Sequence, residues 1–208
     1  MIKVQTAGDC CTITLARPDK ANALTETMLE ALALAATEAA TNGAKVLILT
    51  GEGKVFSAGA DLDGMKAGLG LSPAWEAAST AIAAFPGLSI AALNGTLAGG
   101  AMGVALACDL RIAVPSANFF YPVMRLGYRP QPSDPGRLTA LVGPSRAKMI
   151  LLAAQRINAE TALSWGLIDR ICAPEALTDT AMSLAEAALA ADPLHVRTLK
   201  RMTNGETP

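Results

Sequence analysis

The sequence predicts an α/β protein with a parallel or mostly parallel sheet. Two observations carry that expectation. Short apolar runs alternate with helical stretches from Lys45 to Asp109, the order that produces βαβ-type units. The runs "KVLILTG" and "LSIAALNG" are apolar throughout, as befits strands buried inside a sheet covered by helices. The chain has 208 residues, of which 51% are hydrophobic, 17% charged and 4% aromatic. That is enough for one domain with a proper core.

The elements follow in order. "IKVQTA" and "CCTITLAR" are β-branched runs separated by "GD", a hairpin signal. "PDKAN" breaks the pattern, and Thr25 is placed to cap a helix running to about Ala40, ended by "TNG". "KVLILTG" is a strand, followed by "FSAGADL" and a Gly-rich loop, "DGMKAGLGLS". Ser72 and Pro73 open a helix to about Phe85. "LSIAALNG" is a strand, "TLAGGAMGVALACD" starts as a loop and becomes a helix, and "LRIAV" is a strand. "ANFFYPVMRLGYRPQPSDPG" is broken by prolines and reads as irregular. Helices are expected near 136–142, 144–153 and 159–165, then a strand at "LIDRICA", then helix from about Pro174 with a break at Asp192–Pro193.

Several functions are excluded or disfavoured. Net charge is −1 without a Lys/Arg cluster, which argues against a nucleic-acid face. Cys10, Cys11, Cys108 and Cys172 have neither CxxC nor framework spacing, so they read as reduced core thiols of a cytoplasmic protein. "MIKVQTAG" is too short in apolar length for a signal peptide, and no uninterrupted apolar run is membrane-length. The one histidine, His195, supports neither a zinc site nor a Ser-His-acid triad with Ser57, and reads as a helix surface residue. "GEGK" lacks the rest of a P-loop, and there is no G-x-G-x-x-G.

Two stretches of small residues remain, "SAGAD" and "AGGAMG", each leaving the carboxyl end of an expected strand. That edge is where open α/β sheets bind ligands. With almost no side chains, the main chain can approach a ligand closely. The second stretch also opens a helix, whose first N–H groups lack intrahelical partners. Two such N–H groups would stabilise a developing oxyanion.

"RPDKANAL", "KVLILTGEGKVFSAGADL", "SIAALNGTLAGGAMGVALACDLRIA" and "INAETALSWGLIDRIC", in that order over nearly the whole chain, resemble the crotonase superfamily, the enoyl-CoA hydratase/isomerase family. The resemblance implies a spiral of ββα units over residues 1–173 and a C-terminal helical segment over 174–208 used for oligomerisation, with homo-trimers or hexamers as the assembly. It implies an acyl-CoA thioester as substrate, with coenzyme A entering as part of that substrate rather than as a cofactor. It places the two oxyanion donors at the N–H groups of Ala60 and Gly100. It brings Lys20, Ala21 and Ala23 near the nucleotide, and Ala58, Asp61 and Leu62 beside the adenine and pantetheine arm.

The chain departs from the family at its acids. The positions of the two hydratase glutamates hold Gly103 and Val123, and a position where some isomerases carry an aspartate holds Gln131. Glu76 is the favoured candidate base, set against a reading as a solvated helix residue. Tyr121 and Tyr128 read as packing, Asp134 as a turn or helix cap, Asp61 as a partner for local backbone, and Arg125 and Arg129 as solvated. The expected reaction is isomerase-type proton transfer beside a stabilised thioester enolate, ahead of hydration. The alternatives are acyl-CoA hydrolysis or decarboxylation, or an inactive acyl-CoA binder.

Overall fold

The structure is a computed structural model that describes residues 1–206. Its elements are β1 (Ile2–Ala7), β2 (Cys10–Leu15), α1 (Glu26–Thr41), β3 (Val46–Gly51), β4 (Val55–Ser57), α2 (Leu62–Lys66), α3 (Ala74–Ala83), β5 (Leu88–Leu93), β6 (Thr96–Ala98) and α4 (Ala101–Leu106). They continue with β7 (Leu110–Ala113), β8 (Asn118–Phe120), α5 (Val123–Leu126), α6 (Asp134–Leu151), β9 (Ile157–Asn158), α7 (Ala159–Trp165), β10 (Arg170–Ile171), α8 (Leu177–Ala190) and α9 (Pro193–Thr203).

The strands form two sheets. A six-stranded sheet has the order β1-β2-β3-β5-β7-β10, and a four-stranded sheet the order β4-β6-β8-β9. The first is parallel except for the β1–β2 hairpin, and the second except for β8–β9. Each turn of chain gives one strand to each sheet: β3 then β4, β5 then β6, β7 then β8. This is the expected spiral of ββα units.

The hairpin forms where "GD" places it, in the register Ile2↔Leu15 to Ala7↔Cys10, with Gly8 at φ +57° in its turn. Thr25 caps α1 by accepting the Met28 N–H at 3.2 Å. The helix through 134–151 is broken at Gly143 (φ +78°) before Pro144, as the sequence predicts for two segments there. Asp192 caps α9 from the break before Pro193. The strands β4, β6, β8 and β9 are additions to the sequence expectation. They are two or three residues long, too short for a periodic pattern.

The buried strands β3 and β5 lie between β2 and β7 at the centre of the large sheet. Helix α8 packs on this sheet and buries Leu177, Ala181 and Ala185. Helix α9 has no buried residue and leaves Leu194, Leu199 and Met202 exposed. The cysteines are all free; Cys10, Cys11 and Cys108 are buried, and burial drives the Cys108 thiol up to about 12.

Arg111 ties the far end of the large sheet together. It is 3% exposed on β7. Its guanidinium donates to the carbonyl oxygens of Cys108 (2.7 Å) and Leu167 (2.9 Å), and its N–H donates to the Asp169 carboxylate (2.7 Å). Removing it strands buried carbonyls without donors. We predict that Arg111→Met lowers stability by about 2–4 kcal/mol with an unchanged urea m-value. A loss indistinguishable from that of a surface substitution in urea titrations would contradict this role.

Candidate active site

The two small-residue stretches lie at equivalent places on neighbouring turns of the spiral. "SAGAD" leaves β4 and "AGG" leaves β6, and these strands pair in parallel. Their glycines are pressed together. A Cβ on Gly59 (φ +96°) would lie 2.9 Å from the Ala98 carbonyl oxygen and 3.2 Å from Gly99 Cα. No side chain fits there, and the positive φ favours glycine as well.

Residue Ala60 forms a single parallel bridge with Leu24. Leu24 donates its N–H to the Gly59 oxygen (2.7 Å) and accepts from Asp61 N–H (2.9 Å). Successive N–H groups of an extended segment point to opposite sides, so the Ala60 N–H faces away from Leu24. Gly100 stands at the start of α4, where an N–H has no helical partner. Among the described residues, neither the Ala60 nor the Gly100 N–H donates a hydrogen bond. Both residues border one cavity of about 480 Å³.

The Trp75 ring forms one wall of that cavity, held by its Nε1–H on the Leu69 oxygen at 2.9 Å. A Cβ on Gly100 would meet this ring at 2.9 Å. Ala58, Leu62, Met65 and Val123 line further walls, and Lys66, Tyr121, Tyr128, Arg129 and Gln131 supply the polar groups. Among the described residues, none that lines the cavity is a carboxylate.

Of the oxyanion and coenzyme A positions expected from the sequence, the cavity gathers Ala58, Ala60, Leu62 and Gly100, and it also takes in Tyr121, Val123, Tyr128, Arg129 and Gln131. Lys20 and Ala21 lie outside its lining, on the turn that packs against "SAGAD": the Ala58 N–H donates to the Ala21 oxygen at 2.9 Å. Ala23 is nearby, its oxygen accepting from Arg17 at 3.0 Å. Asp61 caps α2 through the N–H groups of Asp63 and Gly64 and pairs with Arg17 at 2.6 Å. The Gly64 N–H and the Arg17 hydrogen bond hold its carboxyl below the usual range. Glu76 sits on α3, where its carboxylate takes both the hydroxyl and the N–H of Ser133, and it does not line the cavity. His195 lies exposed in the first turn of α9.

Asp134, expected as a turn or helix cap, is instead the first residue of α6, which Ser133 precedes as its N-cap. It is 1% exposed, and its Oδ2 accepts the Tyr121 hydroxyl at 2.8 Å. Among the described residues its Oδ1 has no hydrogen-bond partner. The space it occupies exists because residue 103 has no side chain. A Cβ on Gly103 would lie 2.8 Å from Asp134 Cγ and closer still to Oδ1. Tyr121 is likewise more than packing, since its ring is buried while its hydroxyl is committed to Asp134. Another unsignalled feature is Asn22. It is fully buried and donates to the Glu52 and Val55 oxygens, which fixes the turn in front of β4.

The chain matches the enoyl-CoA hydratase/isomerase family over residues 5–207. It is 35% identical over 206 residues to a protein of Mycobacterium bovis named a probable enoyl-CoA hydratase, covering 99% of this chain and 83% of that one. It is 34% identical to the short-chain-enoyl-CoA hydratase of Clostridium acetobutylicum, covering 95% and 78%. Among solved structures it superposes on an enoyl-CoA hydratase of Bacillus anthracis with a TM-score of 0.89 at 33% identity, covering 98% and 83%. It superposes on DspI of Pseudomonas aeruginosa with a TM-score of 0.92 at 32% identity, covering 98% and 86%. The chain therefore belongs to the enoyl-CoA hydratase/isomerase family, with the crotonase fold.

Burial, as the largest influence, raises the Asp134 carboxyl from 3.8 to about 6, against the hydrogen bond from Tyr121 and the charge of Arg137, which lower it. A folded-state value above the unfolded one means that ionisation costs stability. The cost is absent below about pH 4, grows through about pH 6, and amounts to about 3 kcal/mol at pH 7. Asp134→Asn keeps an oxygen for Tyr121 and removes the charge. We predict that the variant is more stable than the parent at pH 7 and loses that advantage at pH 4. Thermal unfolding at the two pH values checks this; a parent more stable at pH 7 would contradict it.

Proposed function

We propose that this protein binds an acyl-CoA thioester and stabilises its enolate, and that it favours isomerase-type proton transfer over hydration. The observation that carries this reading is the pair of uncommitted N–H groups, Ala60 and Gly100, bordering one cavity. In this reading they hold the thioester oxygen. Preorganised donors in a water-poor site each contribute about 3 kcal/mol to such a charge. Ala58 and Leu62 would flank the pantetheine arm. Lys20, Ala21, Ala23 and Asp61 would form the outer wall toward the nucleotide. Lys66 and Arg129 at the cavity add cationic charge for phosphates.

Hydration requires a carboxylate to activate water and a second acid to protonate carbon. The cavity lining holds no carboxylate, and Gly103 and Val123 can do neither task. Isomerisation needs one group that removes a proton and returns it. Glu76, the sequence favourite, has its carboxylate engaged by Ser133. We therefore assign Glu76 to fixing the start of α6. The lack of a lining carboxylate also supports a second reading, a thioester-binding protein without turnover. Coenzyme A enters only as part of the substrate. The exposed apolar residues of α9 support self-assembly, and the family resemblance makes a homo-trimer or hexamer the form we propose.

The test is turnover of a short 3-enoyl-CoA in isomerisation against the matching 2-enoyl-CoA in hydration. Isomerisation is expected to dominate. Gly100→Ala drives a methyl into Trp75 and displaces the second donor, for an expected loss of about 10²–10³ in turnover. Glu76→Gln keeps an acceptor for Ser133 and is expected to stay within about tenfold of the parent, short of the 10²–10⁴ that removing an acid–base group costs. Efficient hydration, or a Gly100→Ala variant with parental turnover, would overturn the reading. Static light scattering checks assembly, and a monomer mass at micromolar concentration would contradict the trimer.

A further inference from the structure

The structure points to a proton carrier in a place the family's acid positions do not predict. Tyr121 borders the cavity that holds Ala60 and Gly100. Its hydroxyl donates to Asp134 Oδ2 at 2.8 Å. Asp134 lies behind it, lodged against bare Gly103, with Oδ1 unpartnered in the interior. A buried carboxylate oxygen without a donor is costly, and such a group is more often kept at a functional site than in a passive core. The missing side chain at 103 and the inserted carboxylate occupy the same space. The acid has in effect been replaced from a different element, α6 in place of α4.

We propose that Tyr121 is the catalytic acid–base residue that meets the substrate, and that Asp134 is its positioning residue and proton reservoir. This inference rests on the thioester reading above. The α-carbon C–H bond breaks and its proton goes to Tyr121 Oη as the Tyr121 O–H proton passes to Asp134 Oδ2. The C–H electron pair moves into the thioester, whose oxygen becomes the enolate oxygen held by the Ala60 and Gly100 N–H groups. In the return step Asp134 gives its proton back to Tyr121 Oη as Tyr121 delivers a proton to carbon, at the γ position for a 3-enoyl chain or at the α position for a saturated one; at the cavity wall the Tyr121 proton exchanges with water while the enolate lasts, so the carbon takes up solvent hydrogen. The tyrosine is neutral before and after, which suits a phenol whose ionisation is strongly opposed by burial. The charged form alternates between carboxylate and enolate.

Three titratable or charged groups act on Asp134: Tyr121 from the segment after β8, Arg137 from its own helix, and Glu76 from α3. Tyr121 and Arg137 favour the carboxylate, and Glu76 and burial oppose it. The relay requires ionised Asp134 at the start of the forward step. Its rate should therefore rise with pH through about 6 and then level.

The experiment is exchange of the α-protons of butyryl-CoA in heavy water, followed by NMR, with binding of the same thioester measured by calorimetry. The parent should bind and exchange. Tyr121→Phe removes one oxygen; it should bind normally and exchange at least about 10²-fold more slowly. Asp134→Asn should bind, exchange slowly, and lose the limb of the pH profile near 6, a change that a purely structural role would not produce. Parental exchange in Tyr121→Phe overturns the inference and leaves the thioester reading intact. So does a parent that binds butyryl-CoA without exchanging its α-protons. A parent that does not bind any short acyl-CoA sinks the thioester reading, and this inference with it.

Discussion

The close contact of main chain with main chain between Gly59 and Gly99 is the constraint on which the site depends. Two parallel strands, β4 and β6, end side by side, and the turns that follow must touch without side chains. Because they touch, the next residue in each turn, Ala60 and Gly100, reaches the same cavity with its N–H uncommitted. The parallel bridge at Leu24 fixes which way the Ala60 amide faces, and the start of α4 frees the Gly100 amide. Neither donor has to be freed from an internal bond when a ligand arrives, and this is what preorganisation means physically.

Around that contact the protein spends stability to keep polar groups in place. Asn22 is buried to pin the turn before β4, and Arg17 is bonded to Asp61 at the far side of the same turn. These groups are satisfied. Asp134 is not, because its Oδ1 is buried without a donor and its carboxyl is raised to about 6. The contrast is local: Asn22 and Arg17 have partners, while the carboxylate behind the cavity wall has one oxygen without a partner and is ionisable near neutral pH. The second buried unpartnered atom among the described residues, Arg137 Nη1, is one helical turn further along the same helix.

Much of this was legible in the sequence, for reasons that can be named. The long strands β3 and β5, the hairpin at Gly8–Asp9, the Thr25 cap and the break at Gly143–Pro144 all leave local chemical signals. The bare stretches "SAGAD" and "AGG" declared themselves by what they lacked. The second sheet was not legible, because strands of two or three residues have no period and are defined by their neighbours. The Tyr121–Asp134 pair was not legible either. Its three parts, Gly103, Tyr121 and Asp134, are far apart in the chain, and "PSDPG" carries every local mark of a surface turn. Only the tertiary fold shows that an absent side chain at one position makes room for a carboxylate from another. The engagement of Glu76 by Ser133 was not legible for the same reason, since nothing local to Glu76 reveals its partner.

The central claim is that two bare main-chain amides polarise a thioester carbonyl. The most direct measurement is the infrared carbonyl stretch of a carbonyl-¹³C-labelled acyl-CoA, compared free and bound. Two aligned donors weaken the C=O bond, so the account predicts a shift to lower frequency on binding and a smaller shift in Gly100→Ala. A bound thioester whose carbonyl stretch stays at the frequency of the free molecule would contradict the account.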